Sequence, residues 1–193
     1  MKVKLLSHKG ICDILYWAEK NLDQIKKQDL PDPSFIINEG PFKKINFIFE
    51  GSPRSDYAAK FGYVGATRTL YSTKDAFEIL HDSCHFFLAS EKRRSVNDFG
   101  LGQGYQTVNI GKTPELLNEA SRQIEEEAAC VLSWSFATHF GIQKGAIADD
   151  CNLVDMVTAI TNKIDGKKYY DNLISFIKKR NLEALGFKII YPN

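Results

Sequence analysis

Long apolar runs are missing from this 193-residue chain. No stretch approaches the roughly 18 consecutive apolar residues of a membrane span, and Met1 to Leu6 carries two lysines without the apolar segment of an export signal. A soluble protein is expected. Charge of one sign is missing too: Lys plus Arg number 25 against 24 for Asp plus Glu. That balance excludes the broad positive field on which nonspecific nucleic-acid or anionic-membrane binding relies, so any nucleic-acid role would need a local patch. Closely spaced cysteines are also lacking. Cys12, Cys84, Cys130 and Cys151 are scattered with no CxxC spacing, which suits reduced thiols in a cytoplasmic protein better than a disulfide framework. There is no internal repeat and no low-complexity tract. Histidine is scarce, with four in all, and two of them stand four residues apart.

What is present suits a folded domain. A 44% hydrophobic composition can bury a core without disulfides, and the length fits one unit spanning residues 1–193. Ile11, Leu15, Ala18, Leu22 and Ile25 recur at helical spacing and predict an N-terminal helix over Gly10 to Ile25, ended before Pro31 and Pro33. Ile36 and Ile37, then Ile45 to Phe49, read as short strands between glycine and proline breaks. Residues 51–70 read as an irregular loop with one short strand near Tyr63. A helix capped by Ser72 or Thr73 follows, with Phe77, Leu80, Cys84, Phe87 and Leu88 on one face. Ser95 to Lys112 holds four glycines and no helical period, which predicts a loop or short extended segments. Thr113 and Pro114 then form a cap and first helical position, and the helix they open can run to Phe140, where Gly141 stops it. Helices over Leu153 to Ile164 and Tyr169 to Ala184, and a strand over Phe187 to Tyr191, complete an α+β chain that is mostly helical with a small sheet.

The chemistry lies in Leu80-His81-Asp82-Ser83-Cys84-His85-Phe86-Phe87. Residues i and i+4 of a helix share a face, so the imidazoles of His81 and His85 can converge on one ion, as in the HExxH helices of zinc peptidases. The competing explanation is a pair of hydrogen-bonded packing histidines. On an apolar helix an uncompensated imidazole costs desolvation energy, and a metal would supply the compensation. A third protein ligand is then needed to define the geometry, and the run Glu125-Glu126-Glu127 can supply it. Glu126 shares a face with the small residues Ala129, Cys130, Ser133 and Ala137, which would let its helix approach the histidine helix closely. Glu127 edges the bulkier stripe of Leu117, Ala120, Ile124, Val131 and Ser135, and Glu125 points between the two faces. Glu126 is therefore the expected ligand, with its neighbours as alternatives and a solvated acidic run as the ordinary explanation.

These residues carry a resemblance. The elongation factor P hydroxylase family has LHExxHW, then A-x(3)-RR-x(3)-DFG, then a glutamate shortly before a helix with A-L-x-W. This chain has Leu80-His81-Asp82-Ser83-Cys84-His85-Phe86, then Ala89, Arg93-Arg94 and Asp98-Phe99-Gly100 at the same spacing, with Glu126 eight residues before Trp134 and Trp134 seven before Gly141. The likeness covers roughly residues 77–141, and residues 51–70 look like extra sequence. It implies a zincin-like arrangement with a mononuclear site between two central helices, and an Fe(II) oxygenase that hydroxylates a modified lysine of a translation factor similar to elongation factor P. Zn is the alternative metal. His81, His85 and Glu126 would be the two-histidine, one-carboxylate triad that holds Fe(II) on one side and leaves positions open. Asp82, Asp98, Arg93 and Arg94 would complete the catalytic set, Asp82 by orienting water or a ligand, the others by bracing the site or contacting the partner.

One departure bears on mechanism. Asp82 stands where the family has glutamate, one methylene shorter, at a place where a carboxylate commonly serves as general base. The shortening weakens hydrolysis more than oxygenation. A zincin-type zinc hydrolase and a noncatalytic protein of the same fold remain the other readings. Asp98-Phe99-Gly100 matches the kinase tripeptide in letters only, and Gly100-Leu101-Gly102-Gln103-Gly104 lacks the strand and helix of a phosphate loop. Lys92, Arg93 and Arg94 could hold an anionic group, though such a cluster more often serves a helix C-terminus. His139 reads as a capping or surface residue, His8 has no assigned role, and Cys84 reads as a small apolar residue.

Overall fold

Asp75 opens the helix on which the site depends. Its carboxylate accepts from the backbone N–H groups of Phe77 at 2.7 Å and Glu78 at 3.3 Å, satisfying two donors that a helix start leaves free. In the computed structural model, which describes residues 1–20, 32–49, 62–72, 75–100, 119–142, 160–162 and 164–192, the helices are α1 (His8–Lys20), α2 (Ser34–Ile37), α3 (Ala76–Leu88), α4 (Glu91–Arg94), α5 (Glu119–His139) and α6 (Gly166–Lys178). The strands are β1 (Lys2–Lys4), β2 (Asn46–Phe49), β3 (Tyr63–Val64), β4 (Thr69–Ser72) and β5 (Lys188–Ile190). The class is α+β and mostly helical.

The strands form two small sheets rather than one. β1 and β5 pair in parallel, Val3 opposite Ile189. In the other sheet β4 lies between β2, parallel to it with Phe47 opposite Leu70, and β3, antiparallel to it with Tyr63 opposite Leu70. α3 packs along α5, and α5 in turn packs against α6 and β1. One hydrophobic core joins these elements. Its centre is aromatic: Phe42 meets Phe87 of α3 edge-on at 5.0 Å and Phe136 of α5 at 5.5 Å, while Phe187 lies 4.8 Å from Phe87 and 5.2 Å from Phe136 between ring centres. Each fully buried phenyl contributes about 1.5–3 kcal/mol, so this cluster fixes how α3 and α5 face each other.

Helix ends explain most differences from the sequence reading. Ser72 is not the cap of α3. It ends β4, opposite Phe49, and the cap is Asp75. Ile36 and Ile37 are helical rather than a strand, because Asp32 Oδ1 accepts from Ser34 N at 2.7 Å and Pro33 O accepts from Ile36 N at 2.9 Å. That turn overrides the β preference of isoleucine. α5 ends as expected: Gly141, at φ 74°, donates to Thr138 O and Ile142 donates to Ala137 O, a Schellman closure that glycine adopts without strain. Its expected start at Thr113 and Pro114 lies outside the described residues, as do residues 21–25 of the first helix and 153–159 of the penultimate one. α6 stops at Lys178, short of the expected Ala184. Asn181, at φ 45°, turns the chain into a separate 3-10 turn over Leu182–Leu185. Within Ser95 to Lys112, residues 97–100 form a tight turn whose backbone is not helical at Asp98 and Phe99, and 101–112 lie outside the described residues.

Candidate metal centre

The i, i+4 spacing on α3 and the approach of α5 bring three potential ligands together. His81 Nε2 and His85 Nε2 are 3.1 Å apart, and Glu126 Oε2 is 3.5 Å from the first and 3.1 Å from the second. These residues form the one group of three or more metal-ligating side chains found among the described residues. Small side chains on α5 permit the approach: Ala129, Cys130, Ser133 and Ala137 are all buried. Separations of this size subtend roughly 95–115° at an ion with ~2.1 Å bonds, which places all three ligands on one side of it.

Burial is uneven across the site. The side chain of His85 is 5% exposed, His81 19% and Glu126 37%, so the site opens at Glu126 and His81 and is closed behind His85. Electrostatics follow from this. Burial works against the charged imidazolium of His85, but the neighbouring carboxylates of Glu125 and Glu126 outweigh it and lift its pKa to about 10. Burial raises the carboxyl of Glu126 as well, yet both histidines reverse that and hold it far below the usual carboxylate range. Asp82 is half-buried, and burial pushes its pKa up to about 6 against the pull of His81 and His85.

The other two glutamates have separate tasks. Glu125 does not point between two faces. It is fully buried and grips Arg93 through two hydrogen bonds of 2.6 Å, an arrangement matched to the guanidinium fork. Glu127 accepts from the Tyr169 hydroxyl of α6 and from Gln123. Arg93 also donates from Nε to Phe99 O at 2.8 Å. Arg94 donates from Nε to Phe86 O at 2.8 Å and from Nη2 to Phe87 O at 3.3 Å, with Glu91 on its remaining nitrogen. It therefore caps the last carbonyls of α3. Both arginines are buried, and their donors are turned inward rather than toward a partner's acidic surface.

Asp98 and Phe99 both adopt left-handed backbone, at φ 46° and 53°, a conformation that strains non-glycine residues by about 1–3 kcal/mol each. Three contacts hold them. Asp98 Oδ1 accepts from Tyr63 N at 2.9 Å, Phe99 stacks on the Tyr63 ring at 4.0 Å, and Asn97 Oδ1 accepts from Gly65 N at 3.1 Å. Gly65 is required at that contact, since a Cβ there would lie 2.3 Å from the carbonyl carbon of Ser95. Asp98 thus anchors β3 to the turn, and burial raises its carboxyl above the normal range against the backbone donors of Tyr63 and Gly62.

Sequence reasoning did not foresee three neighbours of the site: Glu125 as the partner of Arg93, Tyr63 beneath Phe99, and Cys130, whose Sγ lies 3.7 Å from His81 Nδ1. A hint existed for the first, because an arginine so close to an apolar helix needs a carboxylate if it is buried. Of the remaining candidates, Cys84 is fully buried, and His8 Nε2 donates to Ile160 O at 2.9 Å. No protein-family model, curated protein or solved structure matches the chain.

Proposed function

We propose that this chain is a mononuclear metal enzyme, an Fe(II)-dependent protein hydroxylase similar to the elongation factor P enzyme. The observation that carries the proposal is the meeting of His81 Nε2, His85 Nε2 and Glu126 Oε2 at 3.1–3.5 Å. Two imidazoles and one carboxylate on one side of an ion are the donor set of non-haem Fe(II) oxygenases. When bound there, Fe(II) supplies the one-electron chemistry by which O2 reacts with an unactivated C–H bond. The side chains do the rest. His81 and Glu126, at the open side, leave room for a substrate side chain, while the packed wall behind His85 keeps bulk water from that face.

Hydroxylation places one oxygen atom of O2 in the substrate and reduces the other to water, with two electrons from a reductant. The substrate is proposed to be a lysine-bearing protein of the elongation factor P kind. The test is oxygen consumption by anaerobically iron-loaded protein, with ascorbate, in the presence and absence of such a translation factor, read by a 16 Da mass gain on the factor. Uptake and mass gain together support the proposal; iron binding without either rejects hydroxylation of that substrate.

Asp82 supports a second reading, a zinc hydrolase. A carboxyl shifted to about 6 beside two metal-binding histidines has the proton affinity of a general base. Peptide hydrolysis by the zinc-loaded protein, raised in Asp82→Glu and abolished in Asp82→Asn, would favour it over oxygenation. Among the described residues no helix is long and apolar enough to cross a membrane.

A further inference from the structure

Consecutive glutamates on α5 address the two nitrogens of one imidazole. Glu126 Oε2 lies 3.1 Å from His85 Nε2, and Glu125 Oε1 lies 3.8 Å from His85 Nδ1. Successive helical residues diverge by about 100°, so the ring of His85 sits in the angle between them. Its Nδ1 is buried without a hydrogen-bond partner among the described residues, and Glu125 is the acidic group that faces it.

Glu125 cannot turn away from this task. Arg93 holds both of its oxygens at 2.6 Å, and Arg93 itself is fixed by Phe99 O at 2.8 Å. The Phe99 ring lies nearly parallel to the His85 ring, at 6.1 Å and 26°, and is backed by Tyr63. The strained turn at Asp98 and Phe99 therefore delivers two supports to one histidine: a ring against its face, and a carbonyl that locks the arginine behind its carboxylate. His81 has a different neighbour at the corresponding atom, Cys130 Sγ at 3.7 Å.

We infer that Glu125, clamped by Arg93, is a positioning residue that accepts the Nδ1 proton of His85 and presents Nε2 to the metal. It rests on the metal-centre reading above. A histidine ligand whose outer N–H meets a carboxylate is fixed in tautomer and ring angle and becomes a better donor. Closing the 3.8 Å separation to hydrogen-bond length takes a shift of about 1 Å. The Arg93–Glu125 pair accordingly serves the metal site as well as the joint between α4 and α5.

The test measures Co(II) and Zn(II) affinity for the full chain and for Glu125→Gln, with Glu126→Ala and, as a charge-matched control, Asp171→Asn, an exposed residue of α6 paired with Lys167, beside them. Nitrogen-15 histidine NMR spectra of the zinc-loaded forms provide the second readout. The inference predicts roughly 10- to 100-fold weaker binding in Glu125→Gln, unchanged affinity in Asp171→Asn, and a His85 Nδ1–H resonance far downfield and slow to exchange in the unmodified protein. In Glu125→Gln that resonance moves upfield while its His81 counterpart stays. Binding within twofold of the unmodified protein, with an unmoved resonance, overturns it. Should Glu125→Gln not fold, the unmodified protein decides: a His85 Nδ1–H in fast exchange overturns the inference. Metal lost in Glu126→Ala but kept in Glu125→Gln sinks this inference alone. No metal on the unmodified protein sinks the metal-centre reading itself.

Discussion

Replacing Arg94 by methionine keeps the length of the side chain and removes its donors. In the folded protein Arg94 is 8% exposed and donates to Phe86 O at 2.8 Å and Phe87 O at 3.3 Å. The first is a full charge-assisted hydrogen bond and the second is close to the limit of one, together worth about 2–3 kcal/mol. The guanidinium also lies 5.2 Å from the Phe86 ring, which adds about 0.5–1 kcal/mol. The ion pair to Glu91 adds little, since that carboxylate is 69% exposed. Arg94→Met should therefore cost about 2–4 kcal/mol, equivalent to a fall in Tm of about 5–15 °C for a chain of this size. Urea and thermal unfolding of chelator-treated protein measure the loss directly. Amide hydrogen exchange should show its greatest acceleration in the last turn of α3. A loss below about 1 kcal/mol, or exchange unchanged in that turn, would refute the capping role.

Asp98→Asn keeps an acceptor for Tyr63 N and a residue that tolerates left-handed backbone, and it removes a charge that burial disfavours. Its stability in urea should stay within about 1 kcal/mol of the unmodified protein, while Asp98→Ala, which loses the acceptor, should fall by about 2–3 kcal/mol; equal losses would show that the charge matters. The His85 pKa of about 10 lies above its unfolded value near 6.5, so the stability it lends the metal-free protein is fully present below pH 6.5 and fades as pH rises through 10. Chelated protein should lose stability over that window, as followed by urea midpoints, and metal-loaded protein should not. Metal must displace the same proton, so Co(II) affinity should rise about tenfold per pH unit between pH 7 and 9; a flat profile would show that His85 is already neutral.

Much of this site was legible because helical spacing is a strong constraint. His81, His85 and Glu126 come together as the i, i+4 rule and the small face of α5 require, and Gly141 marked the end of the helix that carries Glu126. Strand β5 was legible in Phe187 to Tyr191. β1 was not, because Lys-Val-Lys is too short to show a period, and its pairing with β5 joins opposite ends of the chain. Ile36 and Ile37 misled because side-chain preference lost to the Asp32-Pro33-Ser34 turn. Arg93, Arg94 and Asp98 were read together as bracing the site or contacting a partner, with a helix C-terminus as the ordinary role of the arginines; Arg94 takes that ordinary role, while tertiary packing makes Arg93 a carboxylate clamp and Asp98 an anchor for β3. Glu125 was hidden by its exposed-looking neighbours in an acidic run, since only the position of Arg93 across the helix interface makes its burial affordable.

The measurement that bears most directly on the site is metal content by elemental analysis of protein purified without chelator and reconstituted anaerobically with iron, beside His81→Ala/His85→Ala and Glu126→Ala variants whose folding is checked by circular dichroism. One iron or zinc per chain, lost in the double variant and sharply reduced in Glu126→Ala, is the predicted result. Folded, unmodified protein that holds no metal after reconstitution, or a Glu126→Ala variant that keeps full stoichiometry, would contradict it.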